Sequence, residues 1–209
     1  MIKLLTLGDS IAHGYRKHLI KALGDAYEVS TKIGEEEAAK NLNIPVGSNC
    51  GDSRMMLAYL TDEYVNGRLD KYDIIMLNCG QHDVKTNLST GKRQIDADEY
   101  EANLEKICEV VTKTDAQLWF VNTTPVFEAV HNTPENIVIN KNIVRYAKDV
   151  VLCNEAASRV MGKYGIPIID LYSLTLTFTE HALRDHAHYY PEYEQRQGEF
   201  LAEIIRRGV

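Results

Sequence analysis

The sequence predicts an α/β protein with three layers, in which a mainly parallel five-stranded sheet lies between two layers of helices. Five short apolar segments of strand length recur along the chain, and helical segments whose apolar residues repeat every three or four positions separate them. Strands that are apolar on both faces are typical of a parallel sheet covered by helices on both sides. The chain has 209 residues, which suffices for one well-buried core, so we expect a single domain over residues 1–209.

The predicted elements follow one another in alternation. The predicted strands are Ile2–Leu7, Tyr27–Lys32, Asp73–Asn78, Leu118–Asn122 and Ile166–Leu171. The predicted helices are amphipathic, and Leu104 and Ile107 illustrate the spacing of their apolar faces. These helices are Ala12–Leu23, Ser53–Asn66, Asp98–Thr114, Asn142–Tyr164 and Glu192–Arg206. Phe127–Lys141 has no clear periodicity, so we expect a loop there that borders the site, and whether it forms a lid stays open.

Composition excludes several classes of function. The net charge of −7 argues against binding to nucleic acid or to an anionic membrane, both of which require a basic surface. No apolar window approaches the roughly 18 residues of a membrane span. The N-terminus lacks the basic segment followed by an apolar one that is typical of a secretory signal. The cysteines are widely spaced and form no CxxC pair. We therefore expect a cytoplasmic protein with reduced thiols and no zinc site.

The segment Gly8-Asp9-Ser10 directly follows the first predicted strand and places a hydroxyl at the carboxyl end of that strand. Ligands of open α/β sheets bind at this edge. Other polar residues follow later strands or precede the last helix, and a parallel topology brings them to the same edge. They are Asn49, Gly51, Ser53, Gly80, His82, Asp83, Asp185 and His188. The sequence therefore predicts a site around Ser10.

Ser10 requires two partners if it is a nucleophile. A serine hydroxyl is weakly nucleophilic until an imidazole takes its proton, and the imidazole requires a carboxylate on its other nitrogen. Asp185 and His188 provide both groups three residues apart. We therefore expect Ser10 to be the nucleophile, His188 the base and Asp185 the residue that orients it. Taken alone, Asp185 as a helix cap and His188 as a surface residue would explain the same pattern.

Acyl transfer also requires hydrogen-bond donors for the oxyanion that develops on the carbonyl oxygen. The candidates are the backbone N–H groups of Ser10 and Gly51 and the imidazole of His82. The alternatives are a plain turn glycine at Gly51 and a structural loop histidine at His82. We also expect Asp9 and Tyr189 to bind the substrate, although packing of Tyr189 under the last helix explains its position equally well.

Four short segments, in this order, resemble the four motifs of the SGNH/GDSL hydrolases, and the resemblance covers nearly the whole chain. They are Gly8–Ser10, Asn49–Ser53, Gly80–Asp83 and Asp185–His188. The resemblance implies a flavodoxin-like sheet and a hydrolase with a Ser-His-Asp triad, and it supports the catalytic and oxyanion-binding roles above. His82 stands where the family usually has asparagine. A neutral imidazole has one N–H and replaces that donor if its tautomer is right.

Two rival assignments are weaker. Gly51-Asp52-Ser53 is a second Gly-Asp-Ser, but no apolar strand precedes it, and Ser53 is better interpreted as the cap of the following helix. Asp185, His186 and His188 resemble metal ligands, but a lone His-x-His without further ligands is a weak signal, so we expect no metal. Other histidines and two arginines near the motifs are interpreted as loop or surface residues. They are His13, His18, His131, His181, Arg54 and Arg184.

The sequence therefore predicts a serine esterase that cleaves a carboxylic ester through an acyl-enzyme and requires no cofactor. A short acyl group is favoured, such as acetyl on a carbohydrate or another small molecule, because the chain has no long apolar lid segment and no membrane-binding stripe. Two alternatives remain open. One is a lysophospholipase or acyl-thioesterase. The other is a binding protein that keeps the fold without catalysis, for which His82 in place of asparagine is the sequence support.

Overall fold

A computed structural model describes residues 1–208 and places five parallel strands in one sheet. The strands of the chain are β1 (Ile2–Leu7), β2 (Tyr27–Ser30), β3 (Ile74–Leu77), β4 (Thr86–Asn87), β5 (Gln117–Val121), β6 (Ile143–Val144) and β7 (Ile168–Ile169). The sheet has the order β2-β1-β3-β5-β7, and β4 and β6 form a separate antiparallel pair. The predicted parallel α/β fold is confirmed.

Helices cover both faces of the sheet. They are α1 (Ser10–Leu23), α2 (Glu35–Lys40), α3 (Ser53–Val65), α4 (Ala97–Val111), α5 (Glu128–His131), α6 (Pro134–Ile139), α7 (Ala147–Tyr164), α8 (Leu171–Leu176) and α9 (Pro191–Arg207). On one face, Leu5 and Ile75 are buried with residues of α3, α4 and α7. On the other, Leu4 and Met76 are buried with residues of α1 and α9. Neighbouring residues of a strand therefore enter different cores, which is why the strands are apolar throughout.

The strand order positions the site. From β1 the chain first adds β2 on one side and then crosses to β3 on the other, and in this topology ligands bind beside the carboxyl ends of β1 and β3, where the strand order reverses. Leu7 of β1 pairs in register with Leu77 of β3, so both strands end at the same level. Ser10 follows the first of these strands and His82 the second.

Several predicted boundaries are wrong at helix starts and strand ends. Helix α1 begins at Ser10 because the Asp9 side chain accepts the N–H of Ile11 and caps the helix. The cap of α3 is Asp52 and not Ser53, because the Asp52 carboxylate accepts the N–H of Met55. The last strand shortens to Ile168–Ile169, because α8 begins at Leu171.

The segment predicted as a loop, Phe127–Lys141, contains the helices α5 and α6. Each is too short to give a periodic pattern, but Thr133 as the cap and Pro134 at the first helical position mark the start of α6. The predicted helix Asn142–Tyr164 is found, but its start is wrong, because α7 begins at Ala147. Lys141 and Asn142 have φ values of 54° and 63°, which interrupt any helix before β6.

Some elements escaped the sequence patterns altogether. Helix α2 and the pair β4 and β6 are short, and a two-residue strand carries no alternation that a pattern can detect. Within residues 1–208, no helix combines the length and apolar character that crossing a membrane requires.

Candidate active site

Ser10 lies at the carboxyl end of β1, where the chain turns directly into α1. Gly8 permits this turn, because a Cβ atom there would stand 2.5 Å from the Cβ of Ala12. Asp9 is 1% exposed, and its Oδ1 accepts the N–H of Ile11 at 2.9 Å. Asp9 is therefore a buried residue that fixes the start of α1, and the substrate-binding role expected from the sequence stays a prediction.

The structure brings Ser10, Asp185 and His188 together in one hydrogen-bonded chain. Nε2 of His188 lies 3.0 Å from Oγ of Ser10, and Nδ1 lies 2.8 Å and 3.0 Å from Oδ2 and Oδ1 of Asp185. Ser10 and His188 are 9% and 4% exposed, so water competes little for these hydrogen bonds. The Ser10 hydroxyl donates to an imidazole that the carboxylate holds in place.

The Asp185 carboxylate is kept ionised by its local partners. Its Oδ1 accepts the backbone N–H groups of Ala187 and His188, each at 2.8 Å. Partial burial raises the pKa of Asp185, but the hydrogen bond and charge of His188 and the two N–H groups outweigh burial and hold that pKa well below its usual value. An ionised Asp185 accepts the proton on Nδ1 of His188, which leaves Nε2 free to accept from Ser10.

His82 is buried and has a defined tautomer. Nζ of Lys85 lies 2.9 Å from Nδ1 of His82, and because an ammonium only donates, Nδ1 accepts and the ring proton resides on Nε2. Burial, followed by the charges of Lys85 and Arg145, lowers the pKa of His82 well below its usual value. The ring is therefore a neutral N–H donor, and it lines the same small recess as Ser10 and His188.

Gly51 lies close to the Ser10 turn, but its N–H is already used. The N–H of Cys50 donates to the carbonyl of Gly8, which ties the two turns together. The N–H of Gly51 donates to Oδ1 of Asn49 at 3.0 Å. This is a local turn in which an asparagine side chain accepts from the residue two positions later. In this conformation the N–H of Gly51 is therefore not free to donate to an oxyanion. The sequence analysis did not identify Asn49 as its acceptor.

Two other candidates lie in the interior. The ring of Tyr189 is 2% exposed and packs edge-on against Phe178 under α9, so it forms part of the core and does not line the recess. Ser53 is fully buried, and its Oγ accepts from Nδ2 of Asn103. That contact gives Ser53 a structural role, in keeping with the preference for Ser10. Residues 1–208 contain no group of three or more His, Cys, Asp or Glu residues arranged to hold a metal ion.

Some of the histidines and arginines that were predicted to be loop or surface residues are paired or buried. Arg54 lies 2.7 Å from Glu99 in an exposed pair, whereas Arg184 lies 3.6 Å from Glu194, whose carboxylate is buried. His131, predicted to be a loop or surface residue, is 1% exposed, and that prediction is wrong because the segment carrying it folds inward. Its ring centre lies 5.2 Å from that of His186, which in turn lies 5.9 Å from that of His188. These rings connect the Ser10 recess to a larger cavity.

The whole chain resembles solved structures of ester hydrolases. A lipase/acylhydrolase from Enterococcus faecalis matches with a TM-score of 0.71 and 15% identity over 99% of this chain and 97% of that one. An acetyl xylan esterase matches with a TM-score of 0.68 and 18% identity over the full length of both. A GDSL-like lipase from Bacteroides thetaiotaomicron matches with a TM-score of 0.65 and 12% identity over 99% and 89%.

Sequence comparison alone finds less than structural comparison. No protein-family model and no curated protein sequence matches the chain. The four motifs are short, and at identities of 12–18% they lie in otherwise dissimilar sequences. The chain therefore has the fold of the GDSL-like lipases and esterases, and its resemblance to the SGNH/GDSL hydrolases is confirmed at the level of the fold.

Proposed function

We propose that this protein is a serine esterase of the SGNH/GDSL type that cleaves a carboxylic ester through an acyl-enzyme. The observation that carries the proposal is the hydrogen-bonded chain from Ser10 through His188 to Asp185. An ionised carboxylate, a buried imidazole and a serine hydroxyl in this order form the arrangement that activates a serine.

The reaction proceeds in two steps. Oγ of Ser10 attacks the carbonyl carbon while Nε2 of His188 takes the hydroxyl proton, and Asp185 stabilises the imidazolium. When the tetrahedral intermediate collapses, the C–O bond to the alcohol breaks and His188 returns the proton to the leaving oxygen. Water, deprotonated by His188, then attacks the acyl carbon and releases the acid and the Ser10 hydroxyl.

The oxyanion has two available donors in this conformation. The N–H of Ser10 lies in the first turn of α1, where unpaired N–H groups and the helix dipole favour negative charge. The N–H on Nε2 of His82 is the second, held in that tautomer by Lys85. Gly51 becomes a third donor only if its N–H leaves Oδ1 of Asn49.

A short acyl group, such as acetyl, fits the site best. The recess that Ser10 shares with His82 and His188 is small, with a free volume of about 10 Å³, which leaves room for about one water molecule. Nine of the twelve residues that line the adjoining cavity are polar or charged, which favours a polar alcohol part over the long acyl chain of a lysophospholipid or an acyl thioester. The acetyl xylan esterase among the similar structures agrees with an acetylated carbohydrate.

The decisive experiment compares the two serines that follow Gly-Asp. Wild type and Ser53→Ala should react with a fluorophosphonate probe and release p-nitrophenol from p-nitrophenyl acetate, whereas Ser10→Ala should do neither. Circular dichroism verifies that each variant is folded. Wild-type turnover in folded Ser10→Ala would overturn the assignment, and absence of labelling in the intact wild type would favour a non-catalytic binding protein.

A further inference from the structure

A cavity of about 500 Å³ adjoins the Ser10 recess, and Asn43 and Arg145 line both. Its lining contains three cationic residues and no Asp or Glu, although the whole chain has a net charge of −7. The cations are Lys85, Lys141 and Arg145. We call this space the cationic cavity.

Arg145 is fixed at the wall of the cationic cavity by contacts along its length. Its backbone N–H donates to Oδ1 of Asn132 at 3.1 Å, and its carbonyl accepts from Nδ2 of the same residue at 2.8 Å. Nε donates to the carbonyl of Gln81 at 2.7 Å, and Nη1 donates to Nε2 of His131. Burial and then the charge of Arg145 lower the pKa of His131 to about 3, which keeps that ring neutral and able to accept.

Arg145 has no anionic partner in the described part of the chain. Arg145 is 7% exposed, yet no carboxylate in residues 1–208 lies within ion-pair distance of its guanidinium. Nη2 makes no hydrogen bond there either, and it is not among the polar atoms sealed from solvent. Asp9 is the carboxylate whose charge acts on Arg145, but Asp9 caps α1 and forms no ion pair with it.

Lys85 brings a second cation to the same wall. Its Nζ donates to His82, and it has no ion pair in the described residues. The nearby carboxylate of Asp52 accepts instead from Nε2 of Gln94 at 2.7 Å. Burial, followed by the charge of Arg145, lowers the pKa of Lys85 to about 8, so the two cations are close enough to repel each other. Lys141 adds a third, exposed cation at the rim.

Burying a charge is costly unless an opposite charge or a full set of hydrogen bonds compensates it. A buried guanidinium with an unused N–H edge, beside an ammonium and facing a cavity without carboxylates, is completed by an anion. The planar guanidinium of arginine donates paired N–H groups to two oxygens of a carboxylate or a phosphate. Because the recess at Ser10 is small and the cations line the larger cavity beside it, the anion fits on the alcohol part of the ester.

Building on the proposed esterase activity, we propose that the cationic cavity binds a carboxylate or phosphate on the alcohol part of the substrate. The natural ester is then an acylated acid, such as an acidic sugar, and not a neutral one.

The binding test uses Ser10→Ala, so that no turnover is required. Isothermal titration compares phenyl acetate with 4-acetoxybenzoate and 4-acetoxyphenyl phosphate, which differ in the anionic group. We expect the better anionic ester to bind at least about tenfold more tightly than phenyl acetate, as charge-assisted hydrogen bonds provide. Tighter binding of the benzoate assigns a carboxylate, and tighter binding of the phosphate assigns a phosphate. Equal binding of all three overturns the proposal.

Two further variants locate the effect. Arg145→Gln in the Ser10→Ala background should abolish the preference for the anionic ester. Because Arg145 also forms hydrogen bonds with Gln81 and His131, the midpoint of thermal unfolding is measured for this variant as well. Lys141→Gln is a second variant, at an exposed position. It should reduce the preference about twofold to threefold, because an exposed charge contributes little. Lys148→Gln, an exposed lysine on α7 outside the cavity, is the matched control and should change nothing.

Kinetics separate this proposal from the esterase proposal. In the active protein, kcat/KM for each ester is divided by its rate of spontaneous hydrolysis, which removes differences in leaving-group reactivity. Equal ratios for neutral and anionic esters would overturn the anionic substrate and leave Ser10 catalysis standing. Failure of the Ser10 labelling experiment would overturn the esterase and leave the binding result standing.

Discussion

The two halves of the site differ in how their charges are balanced. In the catalytic half, formed by Ser10, Asp185 and His188, every polar atom of the chain from carboxylate to hydroxyl has a partner within the group. In the cationic cavity, Lys85 and Arg145 are held by neutral acceptors only. A self-paired group needs no ligand to be assembled, whereas two cations that have no carboxylate of the described residues at ion-pair distance lie where we propose that an anionic ligand binds. Catalysis and recognition are therefore separable by mutation.

The largest expected effect breaks the catalytic half alone. Asp185→Asn replaces the acceptor of the Nδ1 proton by a group that donates as well, and so favours the wrong tautomer of His188. The expected loss in kcat on p-nitrophenyl acetate is about 10⁴-fold. Asp25→Asn, at an exposed position that does not line the Ser10 recess, is the control. A loss of less than tenfold would mean that His188 needs no carboxylate partner.

His82 tests the link between the two halves, because it lines the Ser10 recess and accepts from Lys85. Removing one oxyanion donor costs about 10²–10³ in kcat, so His82→Ala should lose that much with little change in KM. His82→Asn should recover most of the rate, since asparagine supplies an N–H of its own. If kcat of His82→Ala equals that of wild type, the residue only fills space.

A smaller effect is expected on stability, where α9 packs against α1, the helix that begins at Ser10. A Cβ at Gly198 of α9 would stand 2.6 Å from the backbone nitrogen of Leu19 and 2.8 Å from the carbonyl oxygen of Tyr15 in α1. Gly198→Ala should therefore lower the free energy of unfolding by about 1–3 kcal/mol, as overpacking does. Gly162→Ala is the matched control in α7, where a Cβ meets nothing within 4 Å.

Denaturant unfolding measures both glycine variants. Gly162→Ala should be neutral or stabilising by up to about 1 kcal/mol, because alanine favours helix more than glycine does. Equal losses in the two variants would show that the close approach of α9 to α1 is not what Gly198 provides.

The smallest expected effect is a change with pH in the binding of an anionic ester by the cationic cavity. Burial and the charge of Arg145 lower the pKa of Lys85 to about 8, so Lys85 is charged below pH 8 and loses its proton above it. KM for an anionic ester should therefore rise as the pH increases through 8, whereas KM for phenyl acetate should stay level. Lys85→Met should remove the pH-dependent step. A parallel rise for both esters would place the titration elsewhere.

The sequence predicted the catalytic half better than the cavity half for a physical reason. Ser10 follows the apolar strand Ile2–Leu7 closely, and Asp185 and His188 lie three residues apart, so short local patterns sufficed. Arg145 lies between β6 and α7, and no pattern distinguishes it from an exposed arginine except the apolar Ile143 and Val144 before it. Its side chain is held by Gln81 and by His131 of α5, a helix too short to show periodicity.

Strands within the sheet core were predicted closely, because their burial on both faces leaves continuous apolar runs such as Ile74–Leu77. Tertiary partners were not. The donation of the Gly51 N–H to Asn49 and the inward position of Tyr189 both depend on neighbours that no single-sequence pattern identifies. Residue types are read from the chain, but pairing is decided by the fold.

The hydrogen bond between Ser10 and His188 joins residues 178 positions apart in the chain. Contacts of such separation close a very long loop, and their entropy cost delays them relative to local helices and neighbouring strands. The reactivity of Ser10 during refolding therefore reports when the last long-range contacts form. A fluorophosphonate added at intervals after dilution from denaturant would label the chain only when α1 and α9 have docked, later than the recovery of helical circular dichroism.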